Sequence, residues 1–475
     1  MELVTVNPIH IESLNGNSYI YDDASQLILG VRDEDEMEWL QNNKEITLET
    51  INSAPNRFKQ LINTMNLFCR SKTLIQEKKL IQSKKQKGIR QLILEVTESC
   101  NLRCKYCIFS DYYENTRNYS SNKMPWETAK RAIDQFFQYN LCCLKINPQL
   151  TPAITFYGGE PLINFILIKR AVNYIEVKYK SLFNTIEYSL TTNGVLLTTE
   201  IIKFLISKQF YSVISLDGDR DSNDRNRVDI NNKGTFNQVI KNIKEFQKIE
   251  KELAVNPNVT YFVIATVYDF QDSIEKRLSA LQSLKIEQKK FRRFSFVDNF
   301  NSSFYEKQDM KKSLNDFSST LWRLYTDPSQ NKFVYDFVNK IYNELILNIS
   351  NRRQFQNRLM RNSCVPGLDK LMVTVEGNFH ACEKVSHNYP VGNVETGLNF
   401  ENIEAQIRIF NEINEKKCFS CSYSNLCTVC VKQLEKGDGS KMGVTNEICE
   451  QQKNNQKKLL QLYVSKKEFD MLEEN

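Results

Sequence analysis

The sequence predicts an α/β protein in which a partial, TIM-like barrel of six βα units lies between a small N-terminal α+β module and a cysteine-rich C-terminal domain. Two observations predict this arrangement. Between residues 90 and 300, strand-like apolar runs alternate with helical stretches, which is typical of a parallel sheet. Ten of the 13 cysteines fall in two tight groups, one inside that alternating region and one after residue 363.

The first 75 residues have the pattern of a small module of their own. The runs "NSYIYDD" and "QLILGV" alternate enough to pair as a hairpin across "DASQ", and two helical patterns follow them. A Lys/Gln-rich stretch over 76–89 then indicates an exposed helix or linker.

The barrel is predicted over residues 90–300. Its strand candidates are residues 90–97, 153–159, 186–193, 211–218, 258–266 and 292–298. Six βα units are fewer than the eight of a closed barrel, so we expect a partial barrel with its functional groups at the carboxyl ends of the strands. A helical connection is expected over 301–363. Residues 364–475 are too irregular for a hydrophobic core alone before a final helix, so metal sites are expected to stabilise them.

Composition excludes several classes of protein. The net charge of +6 over 475 residues suits an acidic peptide partner but falls well short of a nucleic-acid-binding footprint. The apolar runs are far shorter than the ~20 residues of a membrane helix, and the start of the chain has no signal-peptide pattern. We therefore expect a cytoplasmic protein without a membrane partner, whose reduced thiols bind metal instead of forming disulfides.

The first cysteine group, "CNLRCKYC", places Cys100, Cys104 and Cys107 just after the first barrel strand. Three thiolates from one loop can bind three irons of a [4Fe–4S] cluster and leave the fourth iron open to a substrate or cofactor. The alternatives are a zinc site with a fourth ligand elsewhere, or three unrelated core thiols.

This loop resembles the signature of the radical S-adenosylmethionine (SAM) superfamily, CxxxCxΦC, with Tyr106 at the aromatic position. The resemblance implies that the open iron binds the amino and carboxylate groups of S-adenosylmethionine. It also implies reductive cleavage of that cofactor to a 5′-deoxyadenosyl radical, with the protein holding the cofactor and shielding the radical.

A "YGGEP" segment at the end of the second strand supplies Gly158, Gly159, Glu160 and Pro161. Two glycines let the backbone approach a ligand closely, and a carboxylate is suited to bind an ammonium group. In the family that the sequence resembles, this motif contacts the methionine amino group of the cofactor.

Two further segments, "LTTNG" and "SLDGDRDSNDRNR", end the third and fourth strands and resemble cofactor-contacting segments of the family. The resemblance implies cofactor contacts by Thr192, Asn193, Ser215, Asp217 and Arg227. Arg227 is the candidate for the methionine carboxylate. The sequence departs from the family pattern at Asp219 and Asn223, where proline and histidine are usual.

The second cysteine group resembles the SPASM extension of radical SAM enzymes. Gly377 to Cys382 matches its Gx4C element and "CFSCSYSNLC" matches Cx2Cx5C, whereas the last interval is Cx2C where Cx3C is usual. The resemblance implies one fully ligated auxiliary cluster held by Cys418, Cys421, Cys427 and Cys449. It implies a second, held by Cys364, Cys382 and Cys430, with an open iron able to bind a substrate thiolate.

A competing interpretation is a zinc ribbon that uses Cys418, Cys421, Cys427 and Cys430, because these spacings also suit Zn²⁺. The other cysteines, at positions 69, 142 and 143, are expected to be plain buried thiols. The three histidines are too scattered along the sequence to suggest a histidine metal site.

Relatives with this pair of cysteine regions typically modify peptides or proteins. The resemblance therefore implies a maturase of ribosomally made peptides, whose N-terminal module binds the leader of a precursor peptide by strand addition. A thioether cross-link is the expected product, with flavodoxin or ferredoxin as electron donor; a carbon–carbon cross-link or an epimerisation uses the same parts. The alternatives are an anaerobic sulfatase-maturing enzyme that makes formylglycine and a non-catalytic, metal-stabilised binding protein.

Overall fold

The computed structural model describes most of the chain. The described residues are 3–43, 45–71, 76–113, 117–253, 256, 259–298, 302–327, 329–350, 363–434 and 442–473. Part of the predicted helical connection, residues 351–362, lies outside them. Within the described residues, no helix combines the length and the apolar character needed to cross a membrane.

The N-terminal module contains two small antiparallel sheets and three helices. Its elements are β1 (Leu3–Thr5), β2 (Ile9–Glu12), β3 (Ser18–Asp22), β4 (Leu27–Gly30), α1 (Glu34–Asn42), α2 (Leu48–Asn52), α3 (Asn56–Met65) and β5 (Cys69–Ser71). β3 and β4 form the expected hairpin, whose turn is closed by Asp22 accepting a hydrogen bond from the Ser25 amide at 2.8 Å. Trp39, Phe58 and Phe68 pack with ring centroids 5.7–5.9 Å apart and form the module's core.

The barrel follows a helix in the region expected to be an exposed helix or linker. Its elements are α4 (Glu77–Lys87), β6 (Gln91–Thr97), α5 (Trp126–Cys143), β7 (Ala153–Gly158), α6 (Phe165–Lys178), β8 (Glu187–Thr192), α7 (Thr199–Ser207), β9 (Tyr211–Ser215), α8 (Arg220–Asn226), α9 (Phe236–Leu253), β10 (Phe262–Tyr268), α10 (Ile274–Ser283), β11 (Phe291–Phe296), α11 (Met310–Thr326) and α12 (Lys332–Ser350). The six strands β6 to β11 pair in parallel in sequence order. The predicted partial barrel is confirmed, although its fifth strand begins at residue 262 instead of 258, which lies outside the described residues.

The C-terminal region adds to the same sheet. Its elements are β12 (Lys370–Val373), β13 (Asn378–His380), β14 (Gly392–Asn393), β15 (Gly397–Leu398), α13 (Phe400–Ile413), α14 (Val431–Leu434) and α15 (Asn446–Glu473). β12 pairs in parallel with β6, so the cysteine-rich region starts as a seventh parallel strand. Sequence patterning missed this strand, which covers the edge of β6 that an open barrel leaves unpaired.

Two of the cysteines expected to be buried are buried, and one is not. Cys69 and Cys143 are buried, whereas Cys142 is exposed. Cys142 and Cys143 are adjacent on the amphipathic helix α5, where consecutive side chains point about 100° apart, so only one of them faces the core.

Candidate radical SAM site and the auxiliary cysteines

The first cysteine loop leaves the end of β6 and is fixed by backbone hydrogen bonds. The amide of Arg103 donates to the Val228 carbonyl at 2.7 Å, and the amide of Lys105 donates to the Asn226 carbonyl at 3.0 Å. Cys100, Cys104 and Cys107 lie close enough for a charge on one thiol to raise the pKa of another. The barrel frame therefore holds the three thiols near one another.

The thiols fit an iron–sulfur cluster in their chemistry. They are partly buried, and burial raises the pKa of Cys100 and of Cys104 to about 12, while the nearby Arg227 guanidinium lowers that of Cys104. Among the described residues, no group of three or more His, Cys, Asp or Glu side chains is placed to hold a single metal ion. Three soft sulfur ligands beside a buried cation match the donor set of a cluster with one open iron.

The two glycines of "YGGEP" let β7 meet the cysteine loop. Gly158 has φ +144°, and an added Cβ would lie 2.0 Å from the Thr97 carbonyl oxygen; at Gly159 the same distance to the Ser99 oxygen is 2.3 Å. The Gly159 amide donates to the Thr97 carbonyl at 2.8 Å. The sequence predicts that the two glycines let the backbone approach a ligand closely. In the structure they let it approach the backbone of residues 97–99, where the cysteine loop begins.

Glu160 is buried at the junction of three segments. Its carboxylate accepts hydrogen bonds from the Thr192 hydroxyl at 2.8 Å, the Asn193 amide at 2.8 Å and the Leu162 amide at 3.1 Å. Burial raises its pKa to about 7 despite these bonds. Pro161 begins the short 3₁₀ helix over Pro161–Asn164 that this carboxylate caps. A buried carboxyl with this pKa becomes charged readily when a cation approaches.

The end of β8 touches the cysteine loop directly. The Asn193 side-chain amide donates to the Asn101 side-chain oxygen at 2.8 Å and lies 3.9 Å from the Cys100 sulfur. Thr192 is buried beside it. Both predicted residues of "LTTNG" therefore lie at the site.

Asp217, Tyr106 and Arg227 form a buried cluster behind the cysteines. The Asp217 carboxylate accepts hydrogen bonds from the Arg227 Nε at 2.9 Å, the Val267 amide at 2.9 Å and the Tyr106 hydroxyl. Burial alone would lower the pKa of Arg227, but the charges of Asp217, Tyr106 and Cys104 and the hydrogen bond to Asp217 together outweigh burial and leave that pKa raised. Arg227 is thus held as a cation beside Cys104, and its role toward the methionine carboxylate stays a prediction.

The two departures from the family pattern have structural roles in this chain. Asp219 caps α8 by accepting a hydrogen bond from the Ser222 amide at 2.9 Å, and the Asn223 side chain accepts one from the Asp217 amide at 3.4 Å. Ser215 ends β9, half-buried, in register with Ala265.

Sequence reasoning missed two residues near the cysteines. Glu95 is fully buried in β6 and pairs with Arg117, whose Nε lies 2.5 Å from its Oε1; burial raises the Glu95 pKa to about 7. The Tyr119 hydroxyl is hydrogen-bonded to the Cys107 thiol. Glu95 could have been found as the only acidic residue in the apolar run "LILEVT". No sequence pattern indicated Tyr119.

The C-terminal cysteines form two groups. Cys364 and Cys382 each lie close enough to Cys430 for its charge to raise their pKa values, and Lys370 lowers both. The amide of Val431 donates to the Ser363 hydroxyl at 3.2 Å, which joins the segments that carry this group.

The second group contains Cys418, Cys421 and Cys449. The charge of Cys418 raises the pKa of Cys449, and both Cys421 and Cys449 raise the pKa of Lys453. Cys427 follows in the same loop and is half-buried. Cys430 thus lies near Cys364 and Cys382, which matches the SPASM grouping more closely than the zinc-ribbon grouping.

Two of the three histidines, for which the sequence indicates no contact, stack on each other. The rings of His380 and His387 lie 5.0 Å apart, and burial lowers the pKa of both, to about 3 for His380. Neither ring nitrogen of the buried His380 has a hydrogen-bond partner. They are neutral side chains beside Cys382 at ordinary pH.

Comparisons with known proteins agree with this geometry. The sequence model of the radical SAM superfamily matches residues 94–264. A cysteine-type anaerobic sulfatase-maturating enzyme of Clostridium novyi is 24% identical over 353 residues, which are 72% of this chain and 87% of that enzyme. The radical SAM cyclopropyl synthase TigE of Paramaledivibacter caminithermalis is 23% identical over 76% of this chain and 72% of its own.

A solved structure shares the fold. Native anSMEcpe with bound AdoMet superposes with a TM-score of 0.58 at 19% identity, covering 82% of this chain and 100% of that one. The radical SAM family implies a [4Fe–4S] cluster and S-adenosylmethionine, and the three neighbouring thiols at the end of β6 fit both. Residues 94–264 are a radical SAM domain, and the chain is an enzyme homologous to the anaerobic sulfatase-maturating enzymes.

Proposed function

We propose that this chain is a radical SAM/SPASM maturase that forms a thioether cross-link in a ribosomally made peptide. One observation carries the proposal. Burial raises the pKa of Tyr157, in β7, and the charges of Glu383, the residue that follows Cys382, and of Cys107 raise it further. Side chains of the Cys382 region and of the first cysteine loop thus both act on Tyr157, which supports a reaction that uses the two regions together.

The residues divide into three binding sets. Cys100, Cys104 and Cys107 would hold the cluster that binds S-adenosylmethionine. The set of Cys364, Cys382 and Cys430 would hold a second cluster and leave one iron for a peptide thiolate. The last set, Cys418, Cys421, Cys427 and Cys449, would hold a third.

The chemistry balances as a two-electron oxidation of the peptide. When bound, the first cluster and S-adenosylmethionine supply a 5′-deoxyadenosyl radical, which takes one hydrogen atom from a peptide carbon. Forming the carbon–sulfur bond also releases the thiol proton and one electron. The clusters that the C-terminal cysteines would hold would take up that electron and pass it to an acceptor such as flavodoxin or ferredoxin, which would also supply the electron for cofactor cleavage.

The N-terminal module offers a place for the leader of the precursor. β4 is the outer strand of the sheet ordered β2–β3–β4, and β2 packs on α15, so strand addition is open at β4. Four of the twelve residues that line a cavity of about 580 Å³ in the same module are acidic: Asp33, Asp35, Glu36 and Glu38. The net positive charge of the whole chain predicts an acidic peptide partner. The acidic side chains of this cavity instead suit a leader peptide with basic side chains.

Formylglycine formation is the second candidate. It is favoured by the homology to a sulfatase-maturating enzyme over 87% of that enzyme's length. Both reactions begin with removal of a hydrogen atom from a carbon of the peptide and would use the same cysteine sets. They differ in the product and in the peptide that reacts.

Anaerobic turnover with two peptides separates the candidates. The reconstituted protein would receive S-adenosylmethionine, dithionite and either a cysteine-containing peptide encoded beside the gene or a sulfatase-derived cysteine peptide. We expect the first peptide to lose two hydrogen atoms and its free thiol. An aldehyde that reacts with hydrazine, formed on the sulfatase peptide alone, would establish formylglycine formation instead. Absence of 5′-deoxyadenosine in every reaction, as in a Cys104→Ala control, would leave the binding-protein alternative.

A further inference from the structure

A buried ion pair joins the N-terminal module to the C-terminal cysteine loop. Asp23 lies just after β3 and is 0% exposed; Arg70 lies in β5 and is 5% exposed. The Arg70 Nη2 and the Asp23 Oδ2 are 2.8 Å apart. The Tyr21 hydroxyl also donates to this carboxylate, at 3.0 Å. Such a pair, removed from water, stabilises a structure only where its remaining hydrogen-bonding groups are satisfied.

The pair holds the loop between two predicted cluster ligands. The Asn425 amide donates to both Asp23 carboxylate oxygens, at 2.9 and 3.1 Å, and its side-chain amide donates to the Asp23 carbonyl at 2.6 Å. The Arg70 Nη2 also donates to the Cys421 carbonyl at 3.4 Å. The segment from Cys421 to Cys427 is therefore fastened to a residue that lies about 400 positions earlier in the sequence.

The same module also fastens α15, the helix that carries Cys449. The Glu468 carboxylate accepts hydrogen bonds from Asn15 at 2.8 Å, Asn17 at 2.9 Å and Tyr19 at 2.6 Å. Below them, one apolar cluster contains side chains from all three parts: Ile9, Ile11, Tyr21, Leu426, Leu460 and Val464. Module, loop and helix thus pack as one unit around the second cysteine group.

Two nitrogen atoms of the Arg70 guanidinium have no acceptor among the residues that the structure describes. Its Nε and Nη1 are buried and without a hydrogen-bond partner. An unsatisfied buried donor on a charged group is costly, and in native proteins it commonly marks an acceptor that the protein itself does not supply. The guanidinium lies at the start of the loop, against the Cys421 backbone. The thiolates and sulfides of an iron–sulfur cluster there would be the acceptors that these N–H groups lack.

We propose that Arg70 is a positioning residue for the auxiliary cluster held by Cys418, Cys421, Cys427 and Cys449. Its unused N–H groups would donate hydrogen bonds to sulfur atoms of that cluster and would favour the reduced, more negative state, because the Asp23 carboxylate already pairs with the guanidinium charge. The N-terminal module would then be a structural part of the auxiliary site. This inference rests on the cluster assignment in the proposed function. It also means that deletion of residues 1–75 would remove Arg70 together with the proposed leader-binding strand.

Point variants of the full-length, reconstituted protein test the inference. Arg70→Gln removes the charge, Arg70→Lys keeps it, and the double variant Asp23→Asn/Arg70→Gln leaves a neutral pair in case the single variant does not fold. Arg57→Gln is the matched control, because Arg57 pairs with Glu36 at 2.8 Å in the same module without contacting the cysteine loop. The measurements are iron per chain and the reduction potential of each cluster, followed by electron paramagnetic resonance.

We expect Arg70→Gln and the double variant to move one cluster to a more negative potential and to lose up to about four irons per chain to a chelator. Arg70→Lys should recover most of the potential, and Arg57→Gln should match the wild type. The rate at which S-adenosylmethionine is cleaved without peptide should be the same in all of these variants as in the wild type. If the Arg70→Gln and double variants fold and keep the wild-type reduction potentials and iron content, the inference about Arg70 is overturned, while the cluster assignment is unaffected. A wild-type protein with only about four irons would overturn the proposed cluster assignment, and this inference with it, before any substitution.

Discussion

The two cysteine regions differ in what holds them in place. The loop of Cys100, Cys104 and Cys107 is fixed by neighbouring barrel strands, through backbone contacts at Gly158 and Gly159 and side chains such as Asn193. The C-terminal cysteines are fixed by elements far away in sequence: β12 against β6, and the loop after Cys421 against the N-terminal module.

This difference separates the two regions functionally. The first region depends on strand ends that the barrel core orders, so it can keep its geometry when the C-terminal cysteines are altered. The second region depends on the packing of three separate parts of the chain. Changes in the N-terminal module are therefore transmitted to the auxiliary cysteines more readily than to the cofactor-binding cysteines.

Removing a ligand from the first region should have the largest effect. Cys104→Ala should abolish formation of 5′-deoxyadenosine, because the cluster loses one of its three protein ligands. Product is measured by chromatography after anaerobic turnover. Cys142→Ala, at an exposed thiol, is the control and should match the wild type. Continued turnover by Cys104→Ala would remove the assignment of the cofactor-binding cluster.

The corresponding change in the second region should leave cofactor cleavage intact. Cys421→Ala is expected to lower the iron content by about four per chain while 5′-deoxyadenosine still forms without peptide. Iron analysis and turnover of the same sample check both expectations. An unchanged iron content would mean that Cys421 is not a ligand, and loss of cofactor cleavage would mean that the two regions are not independent.

A methyl group at the contact between β7 and the cysteine loop should destabilise the first region specifically. Gly159→Ala places a Cβ 2.3 Å from the Ser99 carbonyl oxygen, and relieving this overlap should cost about 3 kcal/mol in the free energy of unfolding. Gly443→Ala, where an added Cβ meets nothing within 4 Å, is the control. Denaturant unfolding gives both values, and equal stabilities would contradict the close packing.

Arg227→Ala should weaken the binding of S-adenosylmethionine. Loss of a charge-assisted contact costs roughly 1.5–3 kcal/mol, or about 10- to 150-fold in affinity. Equilibrium binding to the reconstituted protein measures the change. Arg220→Ala is the matched control, because Arg220 hydrogen-bonds the Asn237 side chain at 2.8 Å in an exposed position. Unaltered affinity for Arg227→Ala would assign the cofactor carboxylate to another group.

The smallest expected effect, about 1.4 kcal/mol over the measured interval between about pH 5.5 and 6.5, is a change in the pH dependence of stability at Glu95. Its pKa is raised from 4.5 to about 7 in the folded chain, so the folded state binds a proton that the unfolded state has lost between these values. Stability of the metal-free protein should therefore fall as pH rises through this window, by about 1.4 kcal/mol per pH unit. Glu95→Gln should remove that slope. Parallel stability curves for both proteins between about pH 5.5 and 6.5 would show that Glu95 is not protonated there.

Sequence reasoning predicted what depends on local spacing. The cysteines at positions 100, 104 and 107, the glycines before Glu160 and the alternation of strands and helices are readable because each lies within one loop or one βα unit. The pairing of β12 with β6 and the Asp23–Arg70–Asn425 contacts join residues hundreds of positions apart, and no local pattern signals them. The His380–His387 stack joins residues only seven positions apart, but the sequence does not show that the intervening turns bring the two rings together.

The central claim is that the barrel cysteines hold one catalytic cluster and the C-terminal cysteines hold two more. Iron, sulfide and zinc content of the anaerobically reconstituted protein tests it most directly. About twelve irons with matching sulfide and no zinc is the predicted result. About four irons and one zinc per chain would contradict it, because the C-terminal region would then be a structural zinc domain and thioether formation at an open auxiliary iron would have no site.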